Sequence, residues 1–545
     1  MCVAADAAAV LWLAGTEDQA LPPMEHAPSS RTAELLGALS LATDAAAGFA
    51  PETAVRTSVI AVRLGRAAGL SPDELRDCYY AGLLRYLGCT GYAHEQAGVN
   101  GGDDIGFLQI YADADLGSPA QMISRTLKSL GAGQSPVRRA VLVARFLADP
   151  GGGTKISAAH CGAAATLASR MGMTAGVRTA LDQMYERWDG SGAPNKIGAG
   201  QLSGVSKVLH AAQVLEVFLR LGGIARAKDE VTRRSGRHLD PALAALAAKD
   251  LPEIAAGLSV PSVFDLFCDS EPPPVAQITP GDVPKIALAF ANFADLKSIY
   301  MLGHSPLVSD LCRAAAPALG LNRAEAADIA IAGLLHDLGR VSVPSGIWDK
   351  PSALTPHELD RVRAHPAVLA RVMGRTGALR PLADLASAAY ERLDGSGYPR
   401  RIGGAALGRG QRLLAAADVF TALTHARAHR SAFSTAHAAK LLADEVSAGR
   451  LDKKAVQAVL DISGIRPPPM PSDLPDQLSG REAQVLCLLA RGSSNKLIAA
   501  RLSISPRTVQ THVMHIFEKT GIHGRAAAAL YAVDSGLAKN PQFGG

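Results

Sequence analysis

Aromatic residues make up only 5% of this 545-residue chain, and its seven cysteines are scattered without a Cys-x-x-Cys pair. That cysteine pattern excludes a disulfide framework and a thiolate zinc site, and it fits structural thiols in a reducing cytosol. No stretch reaches the ~18 to 20 uninterrupted apolar residues of a membrane span. The apolar segment Ala7–Gly15 is short, and no Lys or Arg precedes it, so the pattern of a secretory signal is missing. A cytoplasmic protein with no membrane partner is expected. β-branched, turn-punctuated strand patterns are also scarce. Ala and Leu carry most of the 48% hydrophobic content, which predicts an all-α fold.

What the chain does have is length and a localised charge. Its length exceeds what one hydrophobic core usually supports, so about three domains are expected. The net charge is +5, and residues 478–537 hold seven Lys/Arg against three Asp/Glu, a local +4. A polyanion partner is thereby predicted for the C-terminus alone.

The phrase Tyr-Glu-Arg-x-Asp-Gly-Ser-Gly-x-Pro occurs at 185–194 and again at 390–399, 205 residues later. The likeness extends outward. AAGLSPDELRDCYYAGLLRYLG at 67–88 aligns with ALGLNRAEAADIAIAGLLHDLG at 318–339, and His160 and His365 each stand 26 residues before the glutamate of the phrase. A duplicated domain is the reading. The first copy is longer by 46 residues between these anchors, an insertion near 89–156 that includes the glycine-rich 98–106 and 149–154. Proline clusters at Glu271–Pro274 and Arg466–Pro475 punctuate the chain. Three domains follow, at 30–270, 280–465 and 476–540.

In the second copy, His336 and Asp337 close an apolar helix, His304 starts another, and Asp418 lies in the apolar run LLAAADVFTAL. A carboxylate buried there must be paired or must ligate a metal. One His-Asp pair among fifteen histidines is a weak signal, and each histidine singly reads as an ordinary core or surface residue. The ordered set His304, His336-Asp337, His365, Glu391, Asp394–Pro399 and Asp418 is a stronger one.

Residues 300–465 resemble the HD-GYP phosphodiesterases, a branch of the HD-domain metal-dependent phosphohydrolases. The likeness rests on HDLGR, PSGIWDKPSALTPHE, an AHP histidine, ERLDGSGYP, ADVFTALT and RAHR. It implies that His304, His336, Asp337 and Asp418 hold one metal, that Asp337 bridges to a second, and that His365 serves the second. It further implies catalytic roles for Asp337 and Arg340, and a phosphate clamp from Arg427 and Arg430. Mixed imidazole and carboxylate donors suit Fe, Mn or Zn, and a guanidinium fork fits two phosphate oxygens.

The chain also departs from that pattern. Where the family has His-His-Glu, it reads Ala389-Tyr390-Glu391. Arg340 replaces the lysine four residues after the histidine, and Tyr300 stands where members with a third metal carry a glutamate. Four donors remain for one divalent ion. One-metal hydrolysis, or ligand binding without turnover, is expected in place of two-metal cleavage. In the first copy Thr53, Arg85-Tyr86, Met184-Tyr185 and Gln213 fill the donor positions, and only His160 survives. That copy should keep the fold without the chemistry, as a dimerisation surface or a regulatory pocket.

Leu478–Leu537 reads as four short helices. Ser479-x-x-Glu482 is a capping box, Ser505 caps a helix beginning at Pro506, and Gly521 ends it. Val509, Val513 and Ile516 share one face of that helix, opposite Arg507, Gln510, Thr511, Met514 and Glu518. A small basic bundle that binds protein would share these features. The segment closely resembles the LuxR-type helix-turn-helix through LSGREAQVL, LLARGSSNKLIAARLSIS and RTVQTHVMHIFEKTGI. The resemblance implies double-stranded DNA as partner, with Gln510, Thr511 and Met514 facing base edges. Lys496, Arg507, His512 and Lys519 would lie near phosphates, Thr508 would join the DNA-binding set, and Arg525–Asp534 would pack a homodimer.

The predicted fold is two HD-like helical domains in tandem, followed by a four-helix LuxR-type domain. The predicted function is a transcription regulator whose tandem module senses or processes a nucleotide-type signal. The alternative is a metal-dependent phosphohydrolase over residues 304–430, acting on cyclic di-GMP or another nucleotide, with an accessory DNA-binding domain. A third reading is a scaffold in which both repeats only dimerise.

Overall fold

The computed structural model describes residues 30–149, 151–463, 475–502, 504–522 and 524–539. Ala7–Gly15, most of the Arg466–Pro475 spacer and Ser503 lie outside the described residues. Their regular elements are all helices, with no β-strand element among the described residues, so the fold is all-α. The contacts group them into two units. One comprises Ser29–Ile278 with the tripeptide Pro344–Gly346, and the other Thr279–Val343 with Ile347 onward.

The two copies form matching elements for matching reasons. Ser71 caps the helix Pro72–Leu84 through a capping box with Glu74, and Asn322 caps Arg323–Leu335 through one with Glu325. Each helix packs closely on the preceding long one at a glycine. A Cβ added at Gly82 would lie 2.9 Å from Ser58 Cα, and one added at Gly333 would lie 2.9 Å from Ser309 Cα. Only a residue without a side chain permits that approach.

The repeated phrase folds as the same loop twice. Glu186 accepts from the Asn195 and Ile197 amides at 2.7 and 3.2 Å. Glu391 accepts from Arg400 and Ile402 at 2.8 and 3.2 Å. Both carboxylates are therefore occupied by loop backbone, and the phrase is a scaffold in either copy.

The insertion of the first copy is also helical, with Ala93–Val99, Asp104–Tyr111, Pro119–Ser129 and Pro136–Leu147. The helix Gly204–Arg234 is, by length and composition, apolar enough to cross a bilayer, a candidate that a search for uninterrupted apolar runs passes over. Its backbone breaks at Gly222 and Gly223, and 56% of its most apolar window is buried in the protein. It reads as a core helix.

Candidate metal centre and DNA-binding helix

Four elements deliver the predicted donors to one point. His304 opens the helix His304–Ala315, whose N-cap Gly303 takes a left-handed φ of 76°. His336 caps the end of Arg323–Leu335, and Asp337 begins the following turn. His365 lies in Pro356–Met373 and Asp418 in Arg409–Thr424. All five side chains are buried.

His304 Nε2 stands 3.1 Å from Asp418 Oδ1 and 3.7 Å from Asp337 Oδ2. His336 Nε2 lies 3.5 Å from Asp418 Oδ1 and 3.6 Å from Asp337 Oδ1. One donor atom each from His304, His336 and Asp337 fits within a 4.8 Å cluster. His365 Nε2 is farther out, 3.9 Å from Asp337 Oδ1.

Second contacts aim the rings. His336 Nδ1 meets the Gly333 carbonyl at 2.8 Å, and His365 Nδ1 meets the Val362 carbonyl at 2.6 Å. Each backbone partner takes the Nδ1 proton and turns the Nε2 lone pair inward. His336 Nε2, His365 Nε2 and Asp337 Oδ2 are buried without a hydrogen-bond partner. Buried imidazole nitrogens and carboxylate oxygens left in that state fit a divalent cation.

Among the side chains themselves, the two carboxylates set the charge of the cluster. Burial alone would lower the pKa of His336, but Asp337 and Asp418 raise it to about 9. Burial pushes Asp337 upward, yet Arg340 and His336 outweigh it and hold the carboxyl at about 2. Desolvation carries His304 and His365 down to about 4. Asp295, buried in the preceding helix, accepts from the Ser305 amide at 3.0 Å and its hydroxyl at 2.7 Å, which anchors the start of the His304 helix.

The side of Asp337 facing His365 is already filled. Tyr390 donates its hydroxyl to Asp337 Oδ1, stands 4.7 Å centroid to centroid from the His365 ring, and stacks on Tyr398 at 5.1 Å. Arg340 Nη1 lies 3.4 Å from Asp337 Oδ2, and its guanidinium sits 3.7 Å over the Trp348 ring. A phenol and a guanidinium thus surround the aspartate where further metal donors would be needed. Trp348 and Tyr398 lay inside the quoted sequence phrases, but only their rings' positions reveal this role.

Beside the centre opens a cavity of about 260 Å³, lined by Tyr300, Met301, Arg340, Trp348, Arg427 and Arg430 among others. Arg427 is half-buried, desolvation lowers its pKa to about 10, and it donates to Met301 Sδ. Arg430 donates to the carbonyls of Ala422, Leu423, His425 and Ser431 and covers the Phe433 ring at 4.5 Å. Its guanidinium braces its own loop.

In the first copy His160 Nδ1 pairs with the Tyr185 hydroxyl at 3.0 Å, and its Nε2 lies 3.3 Å from Gln96 Nε2. Among the described residues that copy shows no metal-donor cluster.

The C-terminal helices are Gly480–Ala490, Asn495–Leu502, Pro506–Thr520 and Gly524–Asp534. Ser479 and Glu482 close the capping box, and Ser505 Oγ accepts from the Thr508 amide at 3.0 Å. Val509 and Ile516 are buried, while Lys496, Arg507, Thr508, Gln510, Thr511 and Met514 are exposed. His512 is half-buried. Lys519 donates to Glu482 Oε2 at 2.8 Å, and Arg525 donates to the Ser493 carbonyl at 2.9 Å, so both tie the bundle together.

Comparison with known proteins agrees with this geometry. Residues 289–455 match the HD domain family, and residues 476–532 match the luxR family of bacterial regulatory proteins. The chain is 29% identical over 404 residues to 3′,3′-cGAMP-specific phosphodiesterase 3 of Vibrio cholerae, covering 73% of this chain and 87% of that protein. It is 36% identical over 183 residues to 3′,3′-cGAMP-specific phosphodiesterase 1 of the same organism, covering 33% of this chain and 42% of that one. A crystal structure of a cyclic GMP-AMP specific phosphodiesterase from V. cholerae superposes with a TM-score of 0.54 at 24% identity, over 81% of this chain and 99% of that one, a likeness of fold. The chain therefore carries an HD domain over residues 289–455 and, over residues 476–532, a domain of the luxR family of bacterial regulatory proteins.

Proposed function

We propose that this protein is a DNA-binding regulator whose HD domain holds a single divalent transition metal and takes a cyclic dinucleotide at it. The observation that carries the reading is the asymmetry about Asp337. His304 and His336 converge with Asp337 and Asp418, whereas Asp337 Oδ1, the oxygen nearest His365, already accepts from the Tyr390 hydroxyl.

His304, His336, Asp337 and Asp418 would hold the ion, which when bound supplies a Lewis acid for a phosphodiester oxygen. Arg427, desolvated at the cavity wall, offers a cation to a ligand phosphate, and Arg340 shares the same wall beside Trp348. The four donors are themselves buried from water. Relatives that act on cyclic dinucleotides support the ligand class, with 3′,3′-cGAMP as the first candidate.

The exposed Arg507, Thr508, Gln510, Thr511 and Met514 would meet duplex DNA, with Lys496 and His512 toward phosphates. Association as a homodimer would match a two-fold operator. Hydrolysis is the second reading, favoured by the cavity arginines beside the donor cluster.

Metal analysis of the purified chain, with cyclic dinucleotide binding and hydrolysis assays on the same sample, tests both. One equivalent of Fe, Mn or Zn per chain and binding of 3′,3′-cGAMP are expected. Two equivalents, or no metal after loading, would overturn the single-ion reading, and turnover decides between sensing and hydrolysis.

A further inference from the structure

The copy without metal donors encloses a cavity of about 390 Å³, within the range of small-molecule sites. Much of its wall is contributed by the inserted segment. Phe107 and Tyr111 come from Asp104–Tyr111, and Phe146 comes from Pro136–Leu147. Their rings form one aromatic group, with Phe107 and Phe146 6.3 Å apart and Tyr111 stacked on Phe146 at 6.2 Å.

Arg85 lines the same cavity, at the position where the second copy has His336. It is only 3% exposed, and its Nε and Nη1 have no hydrogen-bond partner. The other two arginines on the wall are engaged with acids. Arg187 meets Asp115 at 2.6 Å, and Arg234 meets Glu230 at 3.3 Å. Glu216 feels the charge of Arg85 without a hydrogen bond to it; its Oε1 is bonded to Arg220 at 3.1 Å, and its Oε2 has no hydrogen-bond partner. Gln96 Oε1 and His238 Nδ1, also on the wall, are likewise without partners.

A buried guanidinium short of acceptors is costly, and an oxyanion in the cavity would offer Arg85 an acceptor beside its wall. The neighbouring rings offer an aromatic body a stacking surface. We propose that the first copy is a ligand-binding domain for a small aromatic anion, with its acidic oxygens on Arg85 and its ring among Phe107, Tyr111 and Phe146. The insertion would then be the part that turned a vacated metal site into an enclosed pocket.

Fluorescence titration of the full chain with anilinonaphthalene sulfonate and with its uncharged counterpart N-phenylnaphthylamine tests this. Both dyes should bind. Arg85→Met should weaken the sulfonate by about tenfold or more, as for loss of a hydrogen bond to a charged group, and should leave the neutral dye within about twofold. Failure of the sulfonate to bind, unchanged sulfonate affinity in Arg85→Met, or equal loss of both dyes would overturn the proposal. Ser157→Trp supplies a second arm, because Ser157 lines the cavity and a bulky ring there occupies it. Both dyes should be lost in that variant, and retained sulfonate binding would place the dye elsewhere and overturn the assignment.

Discussion

Tyr390 donates its hydroxyl to Asp337 Oδ1, from a position at which the HD-GYP resemblance calls for a metal-ligating histidine. The phenol therefore competes for the oxygen a second ion would need. Replacing Ala389 and Tyr390 together by histidine should raise bound transition metal from one toward two equivalents per chain. Elemental analysis after reconstitution reads the change, and an unaltered ratio would mean that Tyr390 does not set the stoichiometry.

Removing one donor should empty the centre. His336→Ala takes away one of the four proposed donors and leaves His304 as the imidazole close to both Asp337 and Asp418. Metal content should fall at least about tenfold. The metal-dependent gain in melting temperature, measured with and without chelator, should disappear. Asp295→Asn, which lies behind Ser305, should weaken metal binding less.

The glycine contacts of the repeats predict stability. Gly333→Ala places a methyl 2.9 Å from Ser309 Cα and should cost about 1–3 kcal/mol of unfolding free energy. Gly153→Ala, where a Cβ meets nothing within 4 Å, serves as the control and should be near neutral. Urea denaturation compares them.

Glu482 couples the C-terminal bundle to acid. Burial pushes its pKa up, but Lys519 together with the Ser479 amide and hydroxyl outweighs that and holds it at about 2. A carboxyl held below its ordinary value of 4.5 stabilises the fold above that pH and loses the contribution as pH falls toward 2. Hydrogen exchange by mass spectrometry should show Glu482→Gln less protected than wild type in Gly480–Ala490 at pH 6. The difference should vanish as pH approaches 2.

DNA binding should separate charge from readout. Arg507→Ala should lower affinity for all duplexes and reduce the salt slope by about 1. Gln510→Ala should cost about 1–3 kcal/mol on the preferred operator and little on random DNA. Anisotropy across a salt series distinguishes them.

Much of the centre was legible from residue type and order. His304, His336, Asp337 and Asp418 read as a donor set by type and order, and Ser479 and Ser505, read as caps, sit at their helix starts. What the sequence left hidden depends on direction in space. Arg427 and Arg430 are three residues apart and look equivalent, yet Arg430 turns back onto its own loop carbonyls. Lys519 is a phosphate contact by the LuxR-type resemblance, but a buried glutamate 37 residues earlier meets it in the fold. The insertion carried no motif at all, because its contribution is aromatic surface assembled from separate helices.

The loop built on Glu186 and Glu391 has a consequence for how such proteins are classified. Its carboxylate is fully engaged with loop amides in a copy that has metal donors and in one that has none. The phrase thus reports an ability to fold, and it persists where the donor cluster does not. Assigning a metal site to related chains by that phrase alone would count domains that lack the cluster. The pair at the end of the apolar helix, His336-Asp337 in one copy and Arg85-Tyr86 in the other, is where the distinction is written.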